Sequence, residues 1–333
     1  MECKDLIRVA APARAGILGN PSDGFFGKTI AAPVRNFKAE VIIFEWDRIE
    51  ILPGPTDNIK FTDLNQMIED ININGYYGGF RLIKAAVHQF WDYCQKEEYR
   101  IPDKKFTLRY TSNIPRQVGL AGSSAIITAT MKALSEFYGI PIRKEIMANL
   151  VLWSETKELG ISAGLQDRVV QVYDQPVYMD FDRKYMDIHG YGQYTPISAD
   201  LFPPMYLAYQ ISLTHVATAH NDIRKRWEQG DPKVIEIMQQ IANNATDGFQ
   251  ALQKKDWTEF KKCVNRNFDL RASIYPIAEK NRKMIELARS IGATAKFPGS
   301  GGAIIGTYEN ETMFADLVHR FGLIGCNVVK IQF

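Results

Sequence analysis

The run Pro115-Arg116-Gln117-Val118-Gly119-Leu120-Ala121-Gly122-Ser123-Ser124-Ala125 places two glycines and two hydroxyls directly before a segment of apolar helical periodicity. Gly119 and Gly122 let the backbone turn tightly and come close to a ligand. Ser123 or Ser124 can cap the helix that follows. The first N–H groups of that helix have no carbonyl within the helix to accept them, and the helix dipole favours an anion beside them. Such a loop suits the phosphates of a small molecule or a nucleotide. It is not a Walker A motif, since the Gly-Lys-Ser/Thr ending is missing. It is not a dinucleotide fingerprint, since the GxGxxG spacing is absent. Taken alone, it also reads as an ordinary glycine-rich helix cap.

Three other groups of residues could join this chemistry. Glu155 and Asp167 offer carboxylates, one suited to hold a divalent metal and one to orient or deprotonate a hydroxyl. Arg168 follows Asp167, and its charge would keep a carboxylate ionised if the side chains lie close. The turn KFPGSGGAIIG sets Gly299, Ser300, Gly301 and Gly302 before an apolar strand, where a backbone can approach another loop or a ligand closely. The N-terminal segment carries Arg14, Asn20, Ser22, Asp23 and Lys28. Asp23 could accept hydrogen bonds from sugar-like hydroxyls, and Arg14 could stabilise charge on a phosphoryl group. In isolation, Asp167 reads more readily as a helix cap or surface acid, the Gly299 segment as a plain turn, and Asp23-Gly24 also as a turn.

Elements must hold these residues in place. Leu6 to Ala13 reads as a strand entering a loop that spans Arg14 to Thr29. Val41 to Ile51, Phe106 to Ser112, Pro176 to Phe181 and Met205 to Leu213 read as strands. Helices are expected over Tyr77 to Cys94, Ala125 to Tyr138 and Arg143 to Glu158, with a new element from Leu165 to Tyr173. After residue 220 come three amphipathic helices, Pro232 to Leu252, Trp257 to Ile274 and Asn281 to Ile291. A strand–loop–strand around Lys296 to Gly306, a helix from Glu311 to Phe321 and a strand from Asn327 to Phe333 complete the pattern. Leu201-Phe202-Pro203-Pro204 interrupts it, which predicts domains over 1–200 and 201–333.

The chain has 333 residues, 46% hydrophobic and 23% charged, as expected of a globular protein of two domains. A net charge of +2 argues against nucleic acid or a membrane surface as partner. Cys3, Cys94, Cys263 and Cys326 form no zinc spacing and read as reduced thiols of a cytoplasmic protein. The opening MECKDLIRVAAPARAG lacks a signal peptide's apolar core, and no run of about 18 apolar residues is present.

The three glycine-rich segments, in this order and spacing, resemble the GHMP kinase superfamily. APARAGILGNPSD (Ala11 to Asp23) is similar to its first motif. Pro115 to Ala125 matches its second, Pro-x3-Gly-Leu-x-Gly-Ser-Ser-Ala, and Lys296 to Gly306 its third. The wording of ILGNPSDGFFGKTI, PRQVGLAGSSAI, GLQDRVVQVY and KFPGSGGA looks most like the glucuronokinase-type sugar-1-kinases. The resemblance implies an α+β, two-domain fold: an N-terminal ribosomal-protein-S5-domain-2-like domain and a C-terminal ferredoxin-like domain. It also implies ATP as donor, with Pro115, Gly119, Leu120, Ala121, Gly122, Ser123, Ser124 and Ala125 around its phosphates. Ser124 and Glu155 would hold magnesium, Asp167 would orient or deprotonate the acceptor hydroxyl, and Arg14 would support it. Asp23 lies where related kinases contact their sugar, with Ser22, Lys28 and Arg168 as further candidates. Galactokinases carry a Glu-His pair before that aspartate; here the residues are Pro21-Ser22, which argues against galactose.

The function expected is therefore transfer of the γ-phosphoryl group of ATP to the anomeric hydroxyl of a sugar, glucuronate foremost, by a monomer or homodimer. Lys28, Arg35, Arg116 and Arg168 are candidates for a carboxylate-binding cation. A neutral sugar, a heptose phosphate or a mevalonate-type alcohol is the alternative substrate. A non-catalytic sugar or nucleotide sensor, and an adaptor built on the helices after residue 220, are the alternatives outside catalysis.

Overall fold

The computed structural model describes residues 6–53, 62–63, 78–211 and 220–333. The chain packs as two compact units, each drawn from separate stretches of sequence. Met1–Ala13, Phe37–Ile114 and Gly122–Val172 form the first, and Arg14–Asn36, Pro115–Ala121 and Tyr173–Phe333 the second. A division after residue 200 follows order along the chain, whereas these units follow packing. The strands β1 (Ile7–Leu18) and β2 (Lys28–Trp46) pair with each other and supply residues to both units.

In the first unit, β4 (Lys105–Ser112) runs antiparallel to the second half of β2, with Ile43 opposite Leu108. The short β3 (Glu50–Leu52) runs parallel to β4, with Ile51 also opposite Leu108. Helices α1 (Phe80–Lys96), α2 (Gly122–Tyr138), α3 (Lys144–Trp153) and α4 (Leu165–Tyr173) follow from the apolar periodicity. Ile83 and Phe90 of α1, Leu108 of β4, Met131 and Leu134 of α2 and Val151 of α3 are buried. Each such large side chain contributes about 1.5–3 kcal/mol on leaving water. The stretch Ser124–Thr130 of α2 is buried on every side, as its apolar and small residues allow.

In the second unit, β5 (Val177–Asp180) pairs antiparallel with the start of β2 and with β6 (Gln193–Pro196). A separate sheet places β7 (Met205–Gln210) between β8 (Ala303–Thr307) and β9 (Cys326–Lys330), antiparallel to both. Among its described residues the unit has six α-helices: α5 (Arg183–His189), α6 (His220–Glu228), α7 (Pro232–Gln253), α8 (Trp257–Ala272), α9 (Glu279–Ser290) and α10 (Glu311–Leu323). Side-chain caps start four of them, Asp182 of α5 accepting from the N–H of Tyr185. Asp231 accepts from the N–H groups of Lys233 and Val234, Asp256 from Glu259, and Asn310 from Met313. One core joins Tyr206, Phe268, Met284, Phe297, Ile304 and Phe321, and a second joins Val234, Met238, Ile241 and Tyr275.

The strands depart from expectation at the N-terminus. β1 continues through Arg14 to Leu18, and β2 begins at Lys28, so the loop between them is short. The strand expected over Val41 to Ile51 is two strands, broken at Asp47–Ile49. Thr29 to Val34 is buried without interruption, and such a strand lacks the alternation that reveals one. α5, β6 and α6 were not anticipated, being short; no residue of α5 is buried. Tyr77, Ser212-Leu213 and Cys3 lie outside the described residues. Among the described residues no helix is long and apolar enough to cross a membrane.

Candidate active site

In the second unit the Pro115–Ala121 loop takes left-handed φ at every other position: 55° at Gln117, 72° at Gly119 and 60° at Ala121. Alternation of this kind turns successive N–H groups toward one side and makes a concavity for an anion. A residue with a Cβ is held there at Ala121, at a cost of about 1–2 kcal/mol. The turn lets α2 begin at Gly122, three residues ahead of the expected start. Ser123 and Ser124 therefore lie within the first helical turn, and neither is the cap; Ser124 is buried. A Cβ on Gly122 would meet only Ile114, at 3.5 Å, an ordinary contact. Packing does not demand that glycine, whereas close approach of a ligand to the helix start would.

Gly119 is demanded by packing. A Cβ there would lie 2.8 Å from the Ser300 nitrogen, and one on Gly299 would run into the Gly119 carbonyl. The second and third glycine motifs thus meet backbone against backbone. Arg14, 4% exposed on β1, belongs to the same assembly. Its N–H donates to Leu120 O at 3.1 Å and its Nη1 to Pro298 O at 2.6 Å, while Gly16 N donates to Pro298 O at 2.8 Å.

In the first unit, α3 continues into a widened π turn, Ser154–Glu158, a form that often marks functional positions. The Ser154 hydroxyl donates to Leu150 O at 2.9 Å, and Gln89 Nε2 holds Glu158 at 2.6 Å. The turn presents Glu155, whose side chain is 3% exposed, to Arg168, at 5%. Arg168 Nε donates to Glu155 Oε2 at 2.8 Å, Nη2 donates to the same oxygen, and Nη1 donates to Gly164 O at 2.8 Å. Arg168 Nη1 also lies 3.0 Å from Asp167 Oδ2. One guanidinium therefore holds two carboxylates together. The nitrogens of Arg168 thus meet Glu155, Asp167 and Gly164.

Asp23 sits in a single 3-10 turn, Ser22–Phe25. Ser22 is fully buried and its hydroxyl donates to Lys28 O at 3.0 Å. Lys28 Nζ pairs with Asp180 at 3.1 Å, and Arg35 pairs with Asp174 at 2.8 Å. Ser22 and Lys28 thus help to shape the turn and its strand. Behind the turn, the fully buried Lys296 donates to Gly16 O at 2.7 Å and to Asn20 Oδ1. Burial, then the neighbouring Arg271 and Arg14, push the Lys296 amine well below its ordinary range. Asn20 Nδ2 reaches Phe297 O at 3.1 Å, and Asn267 clamps Gly19 N at 2.6 Å and Asn20 O at 3.2 Å. Arg271 is 4% exposed; burial lowers its proton affinity, against the opposing charges of Tyr275 and Asp23. Its Nη1 donates to Gly299 O at 2.8 Å.

Arg14, the Gly119 loop and the Gly299 turn come together in one unit, and Glu155, Asp167 and Ser124 share the other. Lys296, Arg271 and Asn267 are polar anchors that the sequence reading does not single out, whereas Asn20 is among its candidates. A signal for Arg271 was present: it continues the buried stripe Phe260, Val264, Phe268 of α8, where a charged residue is out of place.

Comparison with known proteins matches residues 81–175 to the family description "GHMP kinases N terminal domain" and residues 249–320 to "GHMP kinases C terminal". Probable glucuronokinase 2 of Arabidopsis thaliana is 45% identical over 300 residues, covering 88% of this chain and 82% of that protein. Glucuronokinase 1 of the same plant is 41% identical over 299 residues, with the same coverage. Among solved structures, a Lactococcus lactis galactokinase complexed with galactose superposes with a TM-score of 0.80 at 14% identity, over 99% of this chain and 94% of that one. The Methanococcus jannaschii mevalonate kinase gives 0.73 at 19%, over 100% and 99%. At these identities the two structures speak to the fold alone.

Proposed function

This chain belongs to the GHMP kinase family, and from that premise we propose that it converts D-glucuronate to glucuronate 1-phosphate with ATP as donor. The observation that carries the reading is the 45% identity to a glucuronokinase across 82% of its length. The set Arg14, Ser124, Glu155 and Asp167, present together, supports a catalytic chain over a sensor.

In the proposed mechanism the Asp167 carboxylate accepts a hydrogen bond from the anomeric hydroxyl and takes its proton as that oxygen attacks the γ-phosphorus. The bond from phosphorus to the β–γ bridging oxygen breaks, and ADP leaves. Arg168 holds Asp167 and Glu155 in fixed orientation, so little rearrangement is needed during transfer. The Pro115–Ala121 N–H groups and the start of α2 hold the nucleotide's phosphates. Arg14 adds positive charge toward the phosphoryl group, and Asp23 accepts from sugar hydroxyls. Magnesium, when bound, offsets charge on the phosphates. The Ser124 hydroxyl and the buried Glu155 carboxylate are hard oxygen donors of the kind magnesium takes, and they would hold it. Cys94, Cys263 and Cys326 are buried unpaired thiols, which supports a reducing, cytoplasmic setting.

The test is a panel of acceptors with ATP and magnesium, scored by ADP release and product mass: glucuronate, glucose, galactose, a heptose phosphate and mevalonate. Glucuronate should give the highest kcat/KM. Turnover of another acceptor with none of glucuronate would overturn the substrate while leaving the family unchanged.

A further inference from the structure

Of the four cations that the sequence suggested for a substrate carboxylate, three are engaged by protein acids: Lys28 by Asp180, Arg35 by Asp174, and Arg168 by Glu155 and Asp167. The fourth, Arg116, is exposed on the Pro115–Ala121 loop. A different cation has the required surroundings. Arg271 is 4% exposed, and its Nε has no hydrogen-bond partner. Among the described residues no carboxylate lies within ion-pair distance of it; its one acceptor is Gly299 O, at 2.8 Å. The Tyr275 and Phe297 rings flank the guanidinium carbon at 5.3 and 5.4 Å, leaving its polar edge as the part that seeks a partner. Lys296, fully buried, likewise meets only a carbonyl and an amide oxygen. The charges of Arg271 and Arg14 bear on Lys296, and those of Tyr275 and Asp23 on Arg271. A buried guanidinium with an unmet Nε donor is costly unless an acceptor arrives.

We propose that Arg271 is the specificity residue of the sugar site, its unpaired guanidinium edge receiving the carboxylate of an acidic sugar whose hydroxyls are held by Asp23. This rests on the acidic-sugar reading above. Arginine suits the task, since its planar fork matches a carboxylate with two parallel hydrogen bonds. A neutral sugar in the same place would leave the buried guanidinium without that partner, which is the condition for strong rejection.

The experiment crosses two acceptors with three enzymes. Glucuronate and its neutral isostere glucuronamide are assayed with wild type, Arg271→Gln and Arg271→Lys, at saturating ATP, with the KM for ATP and the Tm measured in parallel. Wild type should favour the acid over the amide by about 100-fold in kcat/KM. Arg271→Gln should reduce that ratio to within about threefold, and Arg271→Lys, which keeps charge without the fork, to an intermediate value. The KM for ATP should stay within about twofold of wild type if the guanidinium serves the sugar alone. If Arg271→Gln does not fold, the Arg271→Lys ratio decides. A ratio unchanged in a folded variant overturns the proposal, because a guanidinium that merely props the Gly299 turn lowers both acceptors equally. A change confined to the KM for ATP overturns it too, assigning the cation to the nucleotide phosphates. Wild-type turnover of a neutral sugar in place of glucuronate sinks the functional reading itself and the Arg271 assignment with it.

Discussion

Replacing Arg168 by Met keeps most of the aliphatic stem and removes the guanidinium that joins Glu155 to Asp167. Both members of the Arg168–Glu155 pair are nearly inaccessible, at 5% and 3%, so water cannot take the guanidinium's place. Glu155 would then remain buried without its cation. Removing one partner of such a pair costs about 3–5 kcal/mol, most of it from the charge left behind. For a cooperative unit of about 150–250 residues each kcal/mol moves Tm by about 2–4 °C, so a fall of roughly 6–20 °C is expected. Calorimetry without magnesium or nucleotide is the direct assay. Adding Glu155→Gln to the variant removes the stranded charge and should restore part of the loss, a coupling that a thermodynamic cycle reads. A Tm within about 2 °C of wild type, or a double variant no more stable than the single one, would refute the buried pair as described.

Two further predictions concern the second unit. Gly119→Ala forces a Cβ into a left-handed position, about 1–2 kcal/mol of strain, and toward the Ser300 nitrogen as well; the KM for ATP should rise at least tenfold in steady-state assays. Lys296, held below its ordinary 10.5 by burial and by Arg271 and Arg14, is a base that the unfolded chain protonates more readily than the folded one. Between its folded value and 10.5 the unfolded state binds the extra proton, so Lys296 makes stability rise with pH in that window. Tm measured from pH 8 to pH 10 should therefore climb for wild type relative to Lys296→Met, and parallel curves would remove Lys296 from the account.

The elements legible from sequence are those with a period. β4, α7 and α8 lie within two residues of the expected bounds at each end, because each presents one face to a core and one to water. The first half of β2 was not, since Thr29 to Val34 is buried throughout and a strand without a wet face shows no alternation. The start of α2 was missed for a different reason. Its position depends on the φ of Ala121, a residue whose type gives no warning of a left-handed turn.

The site divides along the same line. Arg14, Glu155 and Asp167 are visible because their types sit at recognisable spacings from glycine-rich turns. What joins them is not, since Arg168 belongs to two carboxylates only once the π turn brings Glu155 across from α4. Glycines are legible as permission for close approach, but sequence does not name the neighbour; here Gly119 and Gly299, 180 residues apart, each need the other to lack a side chain. Arg271 is the instructive case. Its local sequence, FDLRAS, contains no turn and no cluster, so chemistry sought in loops passes it by. Its helical position predicts burial, and a buried arginine must have its donors met. Gly299 meets one of them, and Nε is left bare. A charged residue in the apolar stripe of a helix thus points to a ligand when the protein itself does not satisfy it.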